Sequence, residues 1–257
     1  YGVFDIDWDH HYETMNGRLL APFLGAFYSE ELEAGRIGLH YDKEGLYFSY
    51  YELRFPAAIE SYDTVLSPVH SLLRGSLGYD DPDFIHFLGV LYTLRNLSAA
   101  HDGEERREQI LFVKKTLWEL YSNNLAVRGA VDATLARYNG RPGEPRSFDM
   151  LDALCGQQYF RLSFWKVGTA EINYRRFFTI NDLISLRMER REVFDPAHRT
   201  LFSMIHRAGI SGVRIDHVDG LSDPGGYLER LREGREKIYC VVEKILCENE
   251  RLRSEEH

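Results

Sequence analysis

The chain has 257 residues, room for one large domain or for a barrel segment carrying an insertion. With 44% hydrophobic residues, 28% charged residues and a net charge of −9, it reads as an ordinary globular chain. It lacks the clustered Lys and Arg that neutralise phosphates, so nucleic acid is excluded as a partner. No uninterrupted apolar run of about 18 residues occurs, so neither a membrane-spanning helix nor a membrane partner is expected.

Residues 1–55 are irregular, dense in aromatics, Gly and turn formers, and the first eight read as loop. Alternation in Leu39-His-Tyr41 and Leu46-Tyr-Phe-Ser-Tyr-Tyr51 predicts a hairpin over 38–53, turning at Asp42-Lys43-Glu44-Gly45. From 59 to 138 the period becomes helical. Phe84, Phe87, Leu88, Leu91, Leu94 and Leu97 recur at three- and four-residue spacing, and further helices follow over 104–120 and 123–138. Asn139-Gly-Arg-Pro-Gly-Glu-Pro145 is a breaker cluster. A helix then starts at Ser147, with Leu151, Leu154, Gln158 and Leu162 as its stripe. After a polar-aromatic segment, 173–178, Asn181-Asp182 reads as the cap of a helix over 183–193. Asp195-Pro196 opens another, ending near 208. The basic run Arg187-Met-Glu-Arg-Arg191 reads as a solvated helix face. The last third predicts a strand over 212–216, a helix over 224–232 and a strand over 238–243. Together they make a βαβ unit with parallel strands.

The 16 Tyr and 15 Phe suit sugar-stacking surfaces, but an aromatic-rich core accounts for them first. Cys155, Cys240 and Cys247 form neither an even disulfide set nor a CxxC pair. The first two lie in apolar runs as expected buried thiols. A reducing, cytoplasmic compartment is the expectation. That setting, with no signal-peptide pattern, leaves the sequon Asn96-Leu97-Ser98 without weight. His10 and His11 beside Asp9 have no further ligand at metal spacing, so no metal is expected.

The chemistry concentrates in two acids. Asp216 and Glu243 each end an apolar strand, one βα unit apart, and in α/β barrels the active site lies at the C-terminal strand ends. Strand alternation puts Arg214 on the face of Asp216, where a guanidinium would favour an ionised nucleophile. The five nearly apolar residues before Glu243 suggest a desolvated carboxyl suited to acid catalysis, and the pleat would turn Lys244 away from it. On pattern alone, strand-ending acids serve more often as helix caps or structural ion pairs.

Gly212-Val-Arg-Ile-Asp-His-Val-Asp219 resembles the strand-four motif of the α-amylase clan, and Val241-Val-Glu-Lys-Ile-Leu246 its strand-five motif. Four further stretches resemble the maltooligosyl trehalose synthases in particular: Phe4-Asp-Ile-Asp-Trp8, Glu171-Ile-Asn-Tyr-Arg-Arg-Phe-Phe178, Ile180-Asn-Asp-Leu183 and Gly220-Leu-Ser-Asp-Pro224. The resemblance extends over the whole chain and is densest from 147 to 246. It implies an α/β fold: a partial (β/α)8 TIM barrel, strands four and five readable, with a large, mostly helical inserted subdomain. Residues 1–146 would be that insertion, and 147–257 the helices leading into the catalytic strands. It further implies Asp216 as nucleophile, Glu243 as acid/base and Arg214 as the nucleophile's partner, acting without metal or organic cofactor. The implied reaction is intramolecular: the reducing-end α-1,4 linkage of a maltooligosaccharide becomes an α,α-1,1 linkage.

His217, Asp219, Asn173, Tyr174, Arg175 and Arg176 are the candidate substrate-binding residues. For His217 a structural rim role stands beside sugar contact, and for 173–176 a buried turn with two paired Arg does. Asp219-Gly220 stands where general amylases carry Lys/Asn-His, a departure from the wider clan. The clan's strand-three motif and its third catalytic Asp are not among these residues, so the chain is expected to be a piece of a longer enzyme and inactive alone. A glucan hydrolase or other transglycosylase of the same clan, and a non-catalytic glucan-binding module, are the alternatives.

Overall fold

A computed structural model describes residues 2–10, 12–97, 103–233, 238–246 and 248. His11, Ser98 of the sequon and Cys247 lie outside them. Two compact units result, one formed by Leu20–Val167 and one by the described residues within 1–19 and 168–257.

In the Leu20–Val167 unit the expected hairpin forms. Strands β2 (Ile37–Asp42) and β3 (Gly45–Tyr50) pair antiparallel with Asp42 opposite Gly45, and β4 (Leu53–Pro56) adds a third strand beside β3. The turn is sealed by the Glu44 N–H donating to Asp42 Oδ1 at 2.8 Å and by Gly45 at φ 116°, a conformation that L side chains rarely adopt. Alternation sends Ile37, Leu39, Leu46, Phe48 and Tyr50 to one buried face. That face joins a core with α2 (Tyr62–Ser76), α3 (Pro82–Asn96), α4 (Gly103–Asn123) and α5 (Leu125–Tyr138), the helices that the 59–138 periodicity predicts. Their ends follow capping chemistry. Asp81 accepts from the N–H groups of Asp83 and Phe84 with Pro82 in the first turn, and Asn124 accepts from those of Ala126 and Val127.

The sequence reading missed β1 (Leu19–Leu24) and α1 (Tyr28–Glu33), the latter because Phe27 at its N-cap supplies no side-chain bond. The stripe after Ser147 is also corrected. α6 (Asp149–Cys155) ends early, a turn carries Gln158, and Leu162 lies in β5 (Phe160–Phe164), which pairs with β1. Leu151, Leu154, Gln158 and Leu162 are all buried as the stripe requires, through a helix, a turn and a strand rather than one helix.

In the other unit, beyond the short α7 (Gly168–Glu171), no helix spans 183–190; the chain is extended over 183–187 and turns over 188–190. Ile184 and Leu186 bridge to Arg176 and Phe4, so Asn181-Asp182 caps nothing. Helix α8 (Arg191–Ala208) begins four residues before the expected Asp195, keeps Pro196 inside, and stops at Gly209 with φ 64°. The run 187–191 is not a helix face: the Arg187 guanidinium donates to the Phe4 and Ile6 carbonyls, and Arg191 pairs with Glu233.

The βαβ reading holds. β6 (Gly212–Ile215), α9 (Pro224–Arg232) and β7 (Tyr239–Val242) follow in order, and the strands pair in parallel. Phe194, Tyr227, Leu228 and Leu231 form the buried centre beneath them, with Val213, Ile215, Cys240 and Val242 packed on it. Buried His198 ties the two helices, one ring nitrogen to the Phe194 carbonyl and the other to the Tyr227 hydroxyl, each at 2.9 Å. Cys155 and Cys240 are free thiols, half-buried rather than fully buried. Among the described residues no helix is long and apolar enough to cross a membrane.

Candidate active site

The pairing register builds the site. Ile215 lies opposite Val242, so the next residue on each strand is a carboxylate, and the Glu243 N–H donates to the Ile215 carbonyl at 2.8 Å. Even-numbered Arg214 and Asp216 leave the packed face. Arg214 reaches both acids, its Nε 2.8 Å from Asp216 and a terminal nitrogen 3.6 Å from Glu243. One guanidinium thus spans two neighbouring carboxylates, the arrangement a planar fork favours over an ammonium.

The apolar run before Glu243 does not desolvate it. Cys240 and Val242 pack inward, but Tyr239 is 72% and Val241 41% exposed, and the Glu243 side chain keeps 38% of its surface. Strand alternation sends half of such a run outward. Lys244 does turn away: its side chain is 7% exposed and its ammonium pairs with Asp219.

Immediately after Asp216 the backbone turns. His217 adopts φ 53°, and Phe178, whose ring lies on the imidazole, adopts φ 50°. The ring centroids are 3.8 Å apart at 26°, while Phe177 meets the imidazole edge-on at 5.0 Å. The Phe178 N–H donates to His217 Nε2 at 3.1 Å. Left-handed backbone at two non-glycine residues costs about 1–3 kcal/mol each and concentrates where surrounding structure enforces it. The bulky Phe178 is the more unusual of the two.

The remaining candidates form a second cluster. The Asn173 amide donates to the carbonyls of Asp7 and Arg18 at 2.8 and 2.7 Å, and the Tyr174 hydroxyl donates to the Asn181 carbonyl at 3.1 Å. Arg175 pairs with Asp5 at 3.0 Å, and Arg176 donates to Asn181 Oδ1. Backbone bonds lace 3–7, 173–177 and 183–187 together, with Ile6 bridging to Tyr174 and Arg176 to Ile184. Asn173 and Tyr174 are buried, whereas Arg175, Phe177 and Phe178 are exposed. Burial raises the Asp5 carboxyl above the ordinary carboxylate range, with Arg175 pulling it down by less. Burial likewise raises the Tyr174 phenol. Sequence reasoning did not find the Phe178–His217 contact; the nearest signal was the His-x-x-Gly spacing, since a methyl at Gly220 would lie 2.7 Å from the imidazole Cδ2. Among the described residues no three His, Cys, Asp or Glu side chains group as metal ligands.

No family model matches the chain. A curated Mycobacterium tuberculosis protein (strain CDC 1551 / Oshkosh) named maltooligosyl trehalose synthase is 46% identical over 101 residues, 39% of this chain and 13% of that protein. The solved maltooligosyltrehalose synthase from Arthrobacter ramosus is similar over 99% of this chain and 21% of its own, with TM-score 0.51 and 26% identity. A second solved maltooligosyl trehalose synthase matches over 98% of this chain and 21% of its own, with TM-score 0.51 and 19% identity, a likeness of fold alone. The chain spans 13% of the curated relative's length and 21% of each of these two structures.

Proposed function

From a chain homologous to part of the maltooligosyl trehalose synthases, we propose that these residues belong to an enzyme converting the reducing-end α-1,4 linkage of a maltooligosaccharide into an α,α-1,1 linkage. The observation that carries this reading is the pair of strand-end carboxylates, Asp216 and Glu243, joined through Arg214. In the same reading β6 and β7 are strands four and five of a (β/α)8 barrel. Residues 1–146 are the elaboration and 147–257 lead into the catalytic strands. The compact units have other limits because the segment before residue 8 is laced to 173–187, and α6 and β5 join the helical core.

The mechanism is two-step and retaining. Glu243 gives its proton to the glycosidic oxygen as the C–O bond breaks, and Asp216 attacks the anomeric carbon to form a glycosyl ester. The released reducing-end glucose stays and turns. Its 1-hydroxyl attacks the anomeric carbon of the glycosyl ester, Glu243 takes that hydroxyl's proton, and the bond from the anomeric carbon to Asp216 breaks to leave the carboxylate. Such a pair works with the carboxyls about 5–5.5 Å apart, and water must be kept out for transfer to exceed hydrolysis. Arg214 orients the nucleophile. The exposed rings of Phe177 and Phe178, with Arg175 and Asp219, would line the glucose subsite, with His217 stacked against Phe178. Asn173, Tyr174 and Arg176 would act through the turn they hold. The site works without metal or organic cofactor, in the cytoplasm.

The test is to incubate the protein carrying these residues with maltohexaose, beside a Glu243→Gln control, and to follow reducing ends, free glucose and anomeric proton signals. Loss of reducing ends with a new 1,1-linked signal, absent in the control, is the expected result. A rise in reducing ends makes it a hydrolase, and no change in either sample returns the pair to a structural role.

A further inference from the structure

We propose that His217 is a positioning residue, a neutral imidazole protonated on Nδ1 that clamps the Phe177–Phe178 turn beside Asp216; this rests on the catalytic reading of Asp216. Three contacts fix the ring. Its Nε2 faces the Phe178 backbone N–H at 3.1 Å, a group that can only donate, so Nε2 must be the acceptor and the proton must sit on Nδ1. Its face lies on the Phe178 ring at 3.8 Å and its edge meets Phe177 at 5.0 Å. At Gly220 there is no room for a methyl, which would come within 2.7 Å of Cδ2 and 2.9 Å of Nε2, so bare backbone backs the ring there.

Both residues that this clamp joins stand at positive φ, and neither is glycine. The stacked rings and the N–H to Nε2 bond are contacts that require Phe178 to hold that conformation. They reach it from the residue next to the nucleophile. Phe178, itself exposed, is thereby presented at a set position and angle relative to the Asp216 backbone, the requirement for a wall against which a released sugar turns without drifting. With Nε2 taken up by the Phe178 N–H, that nitrogen serves the turn.

Two substitutions separate the contacts in the protein that carries this chain. His217→Phe keeps a flat ring for stacking and removes the acceptor, whereas His217→Gln keeps an acceptor in reach and removes the ring. In wild type, imidazole nitrogen shifts should show the proton on Nδ1 and a bare Nε2, a measurement that needs neither variant to fold nor any activity. Amide exchange at Phe178 should quicken about tenfold in His217→Phe, the loss of one hydrogen bond, and recover in His217→Gln. With maltohexaose, kcat should fall about tenfold in the Phe variant with KM little changed, and the Gln variant should regain most of it. A proton found on Nε2, or a Phe variant with wild-type exchange and kinetics, overturns the clamp. Wild-type protein that forms no 1,1-linked product overturns the catalytic reading instead, and the nitrogen shifts and the exchange still decide the clamp.

Discussion

Arg214 concentrates the chemistry of the site in one side chain, because its guanidinium reaches Asp216 and Glu243 at once. A lysine there supplies the charge but not the fork, so Arg214→Lys should hold one carboxylate and release the other. An exposed ion pair contributes about 0.2–1 kcal/mol, so kcat should drop up to about fivefold with KM little altered. Steady-state kinetics on maltohexaose read this directly, and a Lys variant at wild-type kcat would remove Arg214 from the mechanism. The three residues were legible because strand alternation and strand ends are local properties of sequence. Phe178 beside His217 was not. It lies 39 residues away and depends on two left-handed backbone turns that no propensity assigns to Phe. Nor did the apolar run before Glu243 reveal that Tyr239 and Val241 point outward, since a run of hydrophobic residues is silent on which face is covered.

At the scale of elements, the β2–β3 hairpin hangs on Gly45. Its φ of 116° suits glycine, and a methyl there would stand 2.2 Å from the Tyr62 hydroxyl, which accepts the Leu46 N–H at 2.7 Å. Gly45→Ala therefore combines backbone strain with displacement of a buried hydroxyl, and should cost at least about 2 kcal/mol. Urea unfolding would show it as a lowered midpoint; an unchanged midpoint would mean that the turn relaxes freely. This hairpin, helices α2–α5 and the βαβ unit were legible because pattern, caps and turn residues agreed. The segment 183–190 was misread because Asn-Asp ahead of an apolar run imitates a cap. Yet Ile184 and Leu186 alternate, the period of the extended chain found over 183–187. What decided it was not local: Ser185 donates its N–H to the Arg175 carbonyl and its own carbonyl accepts from the N–H of Asp5, at the other end of the sequence.

Across the whole molecule, the two compact units share one vulnerability, the buried phenol. Tyr62 lies in the core of Leu20–Val167 and Tyr227 in the core beneath β6 and β7, and burial pushes each up to about 12. Tyr28 and Tyr41 are pushed up further by burial. In the unfolded chain a phenol ionises near 10, so above that pH unfolding releases a proton that the folded state retains. The sign is therefore fixed: the stability these groups contribute is whole below about pH 10 and is lost as pH rises toward 12. Each phenol sets a slope of about 1.4 kcal/mol per pH unit across that window. Urea titrations between about pH 9 and 12, read with tyrosinate absorbance, should show midpoints falling, with the buried phenols' share of the absorbance appearing only on unfolding. Tyr62→Phe should flatten the slope of the helical unit by about one such increment, and Tyr227→Phe that of the other unit. Each change also strips a buried group of its partner, the Leu46 N–H at 2.7 Å or a His198 nitrogen at 2.9 Å, lowering stability at every pH by about 1–3 kcal/mol. A slope untouched by either substitution would mean that these phenols ionise without unfolding, and would place the alkaline limit elsewhere.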